Sequence, residues 1–251
     1  LDAGKAMNPI RLSIAILAIT TLLSGGAIAV YPIPTKPRLP KVNRDRPSRI
    51  LPNKPETNLP QKPATDFYSQ GVDKLKKGDF QAASDDFTQA LRLNSKNVDA
   101  YNNRGYARDE LGNYQDAIAD YNRALQLDSK AAIVYNNRGV TNRKMGKEED
   151  AIADYTQAIQ LNSNYATAYY NRGTAYSNLG EAEKAIEDFN QAIQLKANYA
   201  SAYYNRGNTY SKLKDYPTAL ADFQQAADLY QQQGKTSDYQ DALERIQALQ
   251  R

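Results

Sequence analysis

From residue 64 onward, apolar and small side chains return every three or four positions, the spacing that places them on one side of a helix. In residues 98–131 one such stripe runs through Tyr101 and Gly105 to position 108, held by Arg108, and a second holds Ala117, Tyr121, Ala124 and Leu127. Gly112-Asn113 separates them, a tight-turn signal. The same order recurs around Gly78-Asp79, Gly146-Lys147, Gly180-Glu181 and Lys214-Asp215, so each unit reads as helix, turn, helix. Small residues such as Gly105, Ala117 and Ala124 mark close helix approach, and Tyr101, Leu111, Tyr114, Tyr121 and Leu127 supply bulk between the helices.

The units keep a strict register: Gly71, Gly105, Gly139, Gly173 and Gly207 stand 34 residues apart. Tyr-Asn-Asn-Arg or Tyr-Tyr-Asn-Arg precedes the last four of these glycines. Ala117-Ile-Ala-Asp-Tyr121 recurs as Ala151-Ile-Ala-Asp-Tyr155, Ala185-Ile-Glu-Asp-Phe189 and Ala219-Leu-Ala-Asp-Phe223, with Ala83-Ser-Asp-Asp-Phe87 a weaker first copy. This wording resembles the tetratricopeptide repeat over residues 64–233, in copies 64–97, 98–131, 132–165, 166–199 and 200–233. The resemblance implies an all-α, right-handed solenoid of five helix-turn-helix repeats. Residues 234–251 are expected to form a capping helix, with Tyr239, Ala242, Leu243, Ile246 and Leu249 on its apolar face. The repeat wording is also similar to that of tetratricopeptide proteins of cyanobacteria, some of which serve in photosynthetic complex assembly. The chain departs from the usual pattern in having no Trp at the first aromatic position and Ser or Ala where a Pro commonly separates repeats.

In tetratricopeptide proteins the first helix of each repeat lines the concave surface and receives a partner's peptide. The stripe that this implies carries Asn103, Asn137, Asn171 and Asn205 in register, with Asn102, Asn136, Tyr106, Tyr170 and Tyr204 beside them. An amide offers a donor and an acceptor, so a row of them can hold the backbone of an extended chain. The row is similar to the asparagine ladder of O-GlcNAc transferase; the alternative is that these amides bond neighbouring helices or water. The cations with which chaperone-tail adaptors clamp a carboxylate are absent from the corresponding places, which hold Tyr68, Val72, Ile133 and Thr167.

A second expectation comes from comparing the copies. Arg104, Arg138, Arg172 and Arg206 precede the repeat glycine in copies two to five, whereas copy one has Gln70; all five copies hold the second-helix Asp, from Asp86 to Asp222. If each Arg served its own copy, copy one should need one. Each Arg is therefore expected to meet the Asp of the preceding copy, as Arg104 with Asp86.

The first 63 residues are of another kind. Leu12–Val30 is free of charge, follows Arg11 and contains Ala27 and Ala29 in a cleavage-site pattern, so residues 1–29 are expected to be a signal peptide or a membrane anchor, with Met7 the expected start. Residues 30–63 hold nine of the eleven prolines and eight basic residues against two acidic ones, the composition of an extended basic linker. That charge follows the apolar run closely, which favours the cytoplasmic side if the run is retained. Membrane contact through residues 12–30 and the linker is one expectation, and export to the periplasm or its equivalent is the other.

Composition narrows the chemistry. The chain has no His and no Cys, which removes thiol nucleophiles, disulfides, imidazole bases and the usual zinc sites. Residues 64–251 carry 22 basic and 25 acidic residues, with the cations ungathered, so no nucleic-acid partner is expected. Glu148, Glu149 and Asp150 fall at a helix start, where acids suit the helix dipole, and do not make a catalytic set. The sequence points to a non-enzymatic protein-interaction scaffold for a protein or peptide, with no cofactor, metal or small-molecule substrate.

Overall fold

The computed structural model describes residues 62–250. The expectations for residues 1–29, and for all of the linker but its last two residues, lie outside them. Ten helices form five hairpins: α1 (Ala64–Lys76) with α2 (Phe80–Leu93), α3 (Val98–Glu110) with α4 (Tyr114–Leu127), α5 (Ala132–Lys144) with α6 (Glu148–Leu161), α7 (Ala166–Asn178) with α8 (Ala182–Leu195), and α9 (Ala200–Lys212) with α10 (Tyr216–Gln232). The eleventh, α11 (Thr236–Leu249), packs on α10, burying Ala242 and Ile246. Among the described residues there is no strand, and no helix is long and apolar enough to cross a membrane.

Local chemistry sets the boundaries. The turn glycine before most second helices takes a left-handed backbone, as Gly112 does at φ 79°; in the last repeat Lys214 takes that conformation at φ 64°. Asp79 and Asp215 then cap α2 and α10, accepting from the backbone N–H of Ala82 and Thr218. Between repeats, Asn94, Asp128 and Asn162 accept from the N–H two residues on, closing an Asx turn that aims the next helix back.

Each hairpin closes on one aromatic ring. Phe87, Tyr121, Tyr155, Phe189 and Phe223 are at most 1% exposed, and each lies against the repeat glycine of its own first helix. Alanines at 83, 117, 151, 185 and 219 are fully buried beside them. Leu111, expected to fill the core, is 39% exposed because it stands at the end of α3, where the chain leaves for the turn.

Successive first helices touch one another, α1 with α3, α3 with α5, α5 with α7 and α7 with α9, and no second helix meets the next as closely. The first helices therefore line the inside of the curve of an all-α solenoid.

Candidate peptide-binding face

The in-register asparagines are on this inner side, and their amides are engaged across the repeat boundaries. Asn103 Nδ2 donates to the Tyr68 hydroxyl at 3.3 Å, Asn137 to Asn102 Oδ1 at 3.0 Å, Asn171 to Asn136 Oδ1 at 2.9 Å and Asn205 to the Tyr170 hydroxyl at 3.0 Å. Within two repeats the row is cross-braced, Asn102 donating to Asn103 and Asn136 to Asn137. Asn102, Asn136 and Asn171 are buried, at 7%, 5% and 7% exposure, and so lie between helices where an open groove row was expected. The cause is the closeness of successive first helices, which makes each amide the nearest partner of the next. Asn103, Asn137 and Asn205 are half-buried; Asn103 and Asn137 keep one amide N–H each beyond these bonds, whereas Asn205 gives its second to the Thr174 hydroxyl at 3.4 Å.

The expected pairing of each Arg with the preceding copy's Asp is overturned. Arg104 grips Asp120 of its own repeat in a bidentate pair at 2.9 and 2.6 Å. Arg138 likewise binds Asp154, Arg172 binds Asp188 and Arg206 binds Asp222. Copy one manages without an Arg because Lys74, one helical turn beyond Gln70, reaches Asp86 at 2.6 Å. The link to the preceding repeat exists two residues further on. The remaining guanidinium nitrogen of Arg104, Arg138, Arg172 and Arg206 donates to Thr88, Asn122, Thr156 and Asn190. Each Arg also lies over the first-helix tyrosine three residues before it, as Arg138 over Tyr135 at 5.4 Å.

Two repeats carry tyrosine where the others have phenylalanine, and their hydroxyls reach a polar seam at the end of the first helices. Thr141 donates to Asp109 at 2.8 Å, and Lys144 binds Asp109 at 2.6 Å and Glu110 at 3.1 Å, joining repeats two and three. Asn178 donates to Glu148 at 2.8 Å, joining repeats three and four. Burial lifts the Tyr155 phenol to about 12 against the pull of Arg143, and burial beside Asp109 lifts Tyr121 as well. Unfolded phenols ionise near ~10, so above that pH the unfolded chain has released protons that the folded chain still holds. Stability should then fall by about 1.4 kcal/mol per pH unit for each such phenol. Urea denaturation from about pH 9 to 12 checks this. Tyr121→Phe with Tyr155→Phe should flatten the decline, and an unchanged slope would contradict it.

What the inner stripe leaves open differs from the expected set. Tyr106 is 40% exposed. Tyr170 is packed against Tyr199 at 4.9 Å, and Tyr204 against Phe223 at 5.5 Å, with its hydroxyl accepting from Arg245. Ile133 is 54% exposed, and it shares one helical stripe with Asn137, Val140 and Lys144. Ile133 and Val140 were missed because a search for in-register polar residues passes over the positions where the repeats differ.

Family models of the tetratricopeptide repeat match residues 68–132 and 200–233, and a TPR repeat model matches residues 143–180 and 178–214. No curated protein sequence matches the chain. Among solved structures, the MamA protein is 30% identical over 68% of this chain and 94% of its own, with a TM-score of 0.59. YrrB, described as a TPR protein with an unusual peptide-binding site, is 22% identical over 66% of this chain and 86% of its own, with a TM-score of 0.54. A thermophilic TPR protein of Thermus thermophilus is 21% identical over 72% of this chain and 98% of its own, with a TM-score of 0.60. With its five hairpins, their buried glycine-to-ring contacts and these matches, the chain belongs to the tetratricopeptide repeat family.

Proposed function

We propose that this scaffold for protein–protein interaction holds an extended segment of its partner along the first-helix stripe. The observation that carries the reading is the exposure of Tyr106 and Ile133 on the inside of the curve, where an apolar side chain gains by being covered. Asn103 and Asn137, half-buried beside them, are suited to hold the partner's backbone with their remaining amide N–H groups. Sharing a fold with YrrB, described as having a peptide-binding site, is in keeping with this.

The test is affinity for the partner that co-purifies with a C-terminally tagged copy in the native host. Ile133→Arg should leave the fold intact, because the side chain is already largely in solvent, and should weaken binding by about tenfold, as burying an unpaired cation costs more than ~1.4 kcal/mol. Unchanged affinity of both Ile133→Arg and Tyr106→Ala would place the partner elsewhere.

The apolar run and basic linker support a second part of the reading, that the scaffold works outside the cytoplasm or held at a membrane. Mass spectrometry of the mature N-terminus separates the two. A start at Val30 in a soluble extracytoplasmic fraction means export. An intact N-terminus in the membrane fraction means an anchor, and favours an assembly factor for a membrane complex, photosynthetic if the host has one.

A further inference from the structure

Lys144 and Lys212 occupy the same place in repeats three and five, the last turn of the first helix, but their surroundings differ. Lys144 is neutralised by Asp109 and Glu110, which stand at the end of the preceding repeat's first helix. The residues equivalent to those two acids, facing Lys212, are Ser177 and Asn178. Both are uncharged. Among the described residues, no carboxylate pairs with Lys212 or with Arg245, the α11 cation that lines the same hollow. This hollow, about 370 Å³, is also lined by Asn205 and Asn208, with Phe189 behind them, and no acidic residue contributes to it. Arg245 Nε is turned to the Tyr204 hydroxyl at 3.4 Å, which leaves the other guanidinium nitrogens without a protein acceptor among the described residues.

We infer that this hollow takes the carboxylate of an aspartate or glutamate in the bound partner segment, which occupies the place that Asp109 and Glu110 fill for Lys144. The inference rests on the groove reading above and adds the chemistry of one end of it. Charge complementarity selects the ligand: two cations line the hollow with Asn208 and Ser211, whose side chains donate to no protein group among the described residues, and a carboxylate accepts from such donors. A side chain is assigned over a chain terminus because a second hollow, lined by Tyr204, Asp241, Glu244, Arg245 and Ala248, lies on the other side of Arg245 and leaves room for a strand past α11.

Selection of a nonapeptide library, in parallel with amidated and with free C-termini, tests this on the full chain. The expected result is amidated peptides in which one position is Asp or Glu, enriched about tenfold over the same peptides with Asn or Gln, as for one charge-assisted contact. Lys212→Ser with Arg245→Gln should abolish the acidic preference without a change in thermal unfolding, since both side chains are exposed, and Lys212→Arg should keep it. Ser177→Asp should also abolish it, by supplying Lys212 with the carboxylate that Asp109 gives Lys144, while Asn178 keeps its bond to Glu148. Peptides recovered without an acidic preference overturn the inference and leave the groove reading standing. Recovery only with a free C-terminus overturns the side-chain assignment. Failure to recover any peptide overturns both the inference and the groove reading.

Discussion

Gly139→Val is expected to destabilise the array by about 3 kcal/mol and to open it in the middle. A Cβ on Gly139 would stand 2.7 Å from Cε1 and 2.9 Å from Cδ1 of Tyr155, closer than carbon atoms approach. Tyr155 is fully buried and cannot swing aside without dislodging Ala151 and Ala175, which are fully buried in its cluster. Valine adds two methyl groups to that clash, and the helix propensity that it gains over glycine is only a few tenths of a kcal/mol, too little to offset it. Because each repeat contacts only its neighbours, the damage should stay local. Hydrogen exchange should quicken in α5, α6 and the helices flanking them, while α1 and α10 keep their protection. Pairing Gly139→Val with Tyr155→Leu should recover part of the loss by making room. Uniform loss of protection along the chain, or none, would contradict the nearest-neighbour picture.

The second large effect is expected from Asp120→Ala. Asp120 is 3% exposed and accepts from two guanidinium groups, those of Arg104 and Arg108. Removing the carboxylate leaves two cations close together and half-buried, and breaking such a pair costs about 3–5 kcal/mol. Asp86→Ala, which frees only the more exposed Lys74, should cost roughly 1 kcal/mol. Replacing Asp120 by Ala together with Arg104 and Arg108 by Met should recover most of the loss, because a well-packed apolar group can substitute for a buried ion pair. Urea midpoints of these variants supply the comparison. Equal costs at Asp86 and Asp120 would mean that the second cation contributes nothing.

The contrast between these two sites also shows where the sequence was readable. The period of 34, the hairpins and the close helix approach at the repeat glycine follow from spacing alone, since they recur in every copy. Pairing was not readable in the same way. Copy one lacks the Arg and keeps the Asp, which suggested a partner in the next repeat, but Lys74 sits one turn along the same helix and takes over the role. Asn103, Asn137, Asn171 and Asn205 could be placed on the inner stripe. Their engagement with the residue 35 positions earlier depends on how one first helix is staggered against the next. A register of 34 does not contain that stagger. Exposure of Ile133 was hidden for a different reason: its place on the inner stripe was read for the cation it lacks, and whether a neighbouring helix covers the side chain depends on packing between repeats.

The central claim, that a partner lies against the first helices, is tested most directly by site-specific photo-crosslinking. Benzoylphenylalanine replaces Tyr106 or Ile133 on the inside of the curve, and Ala119 or Ala153, both exposed, on second helices. The account expects the partner to be captured from positions 106 and 133 and not from 119 and 153. Capture from 119 and 153 alone would contradict it and put the partner on the outer face.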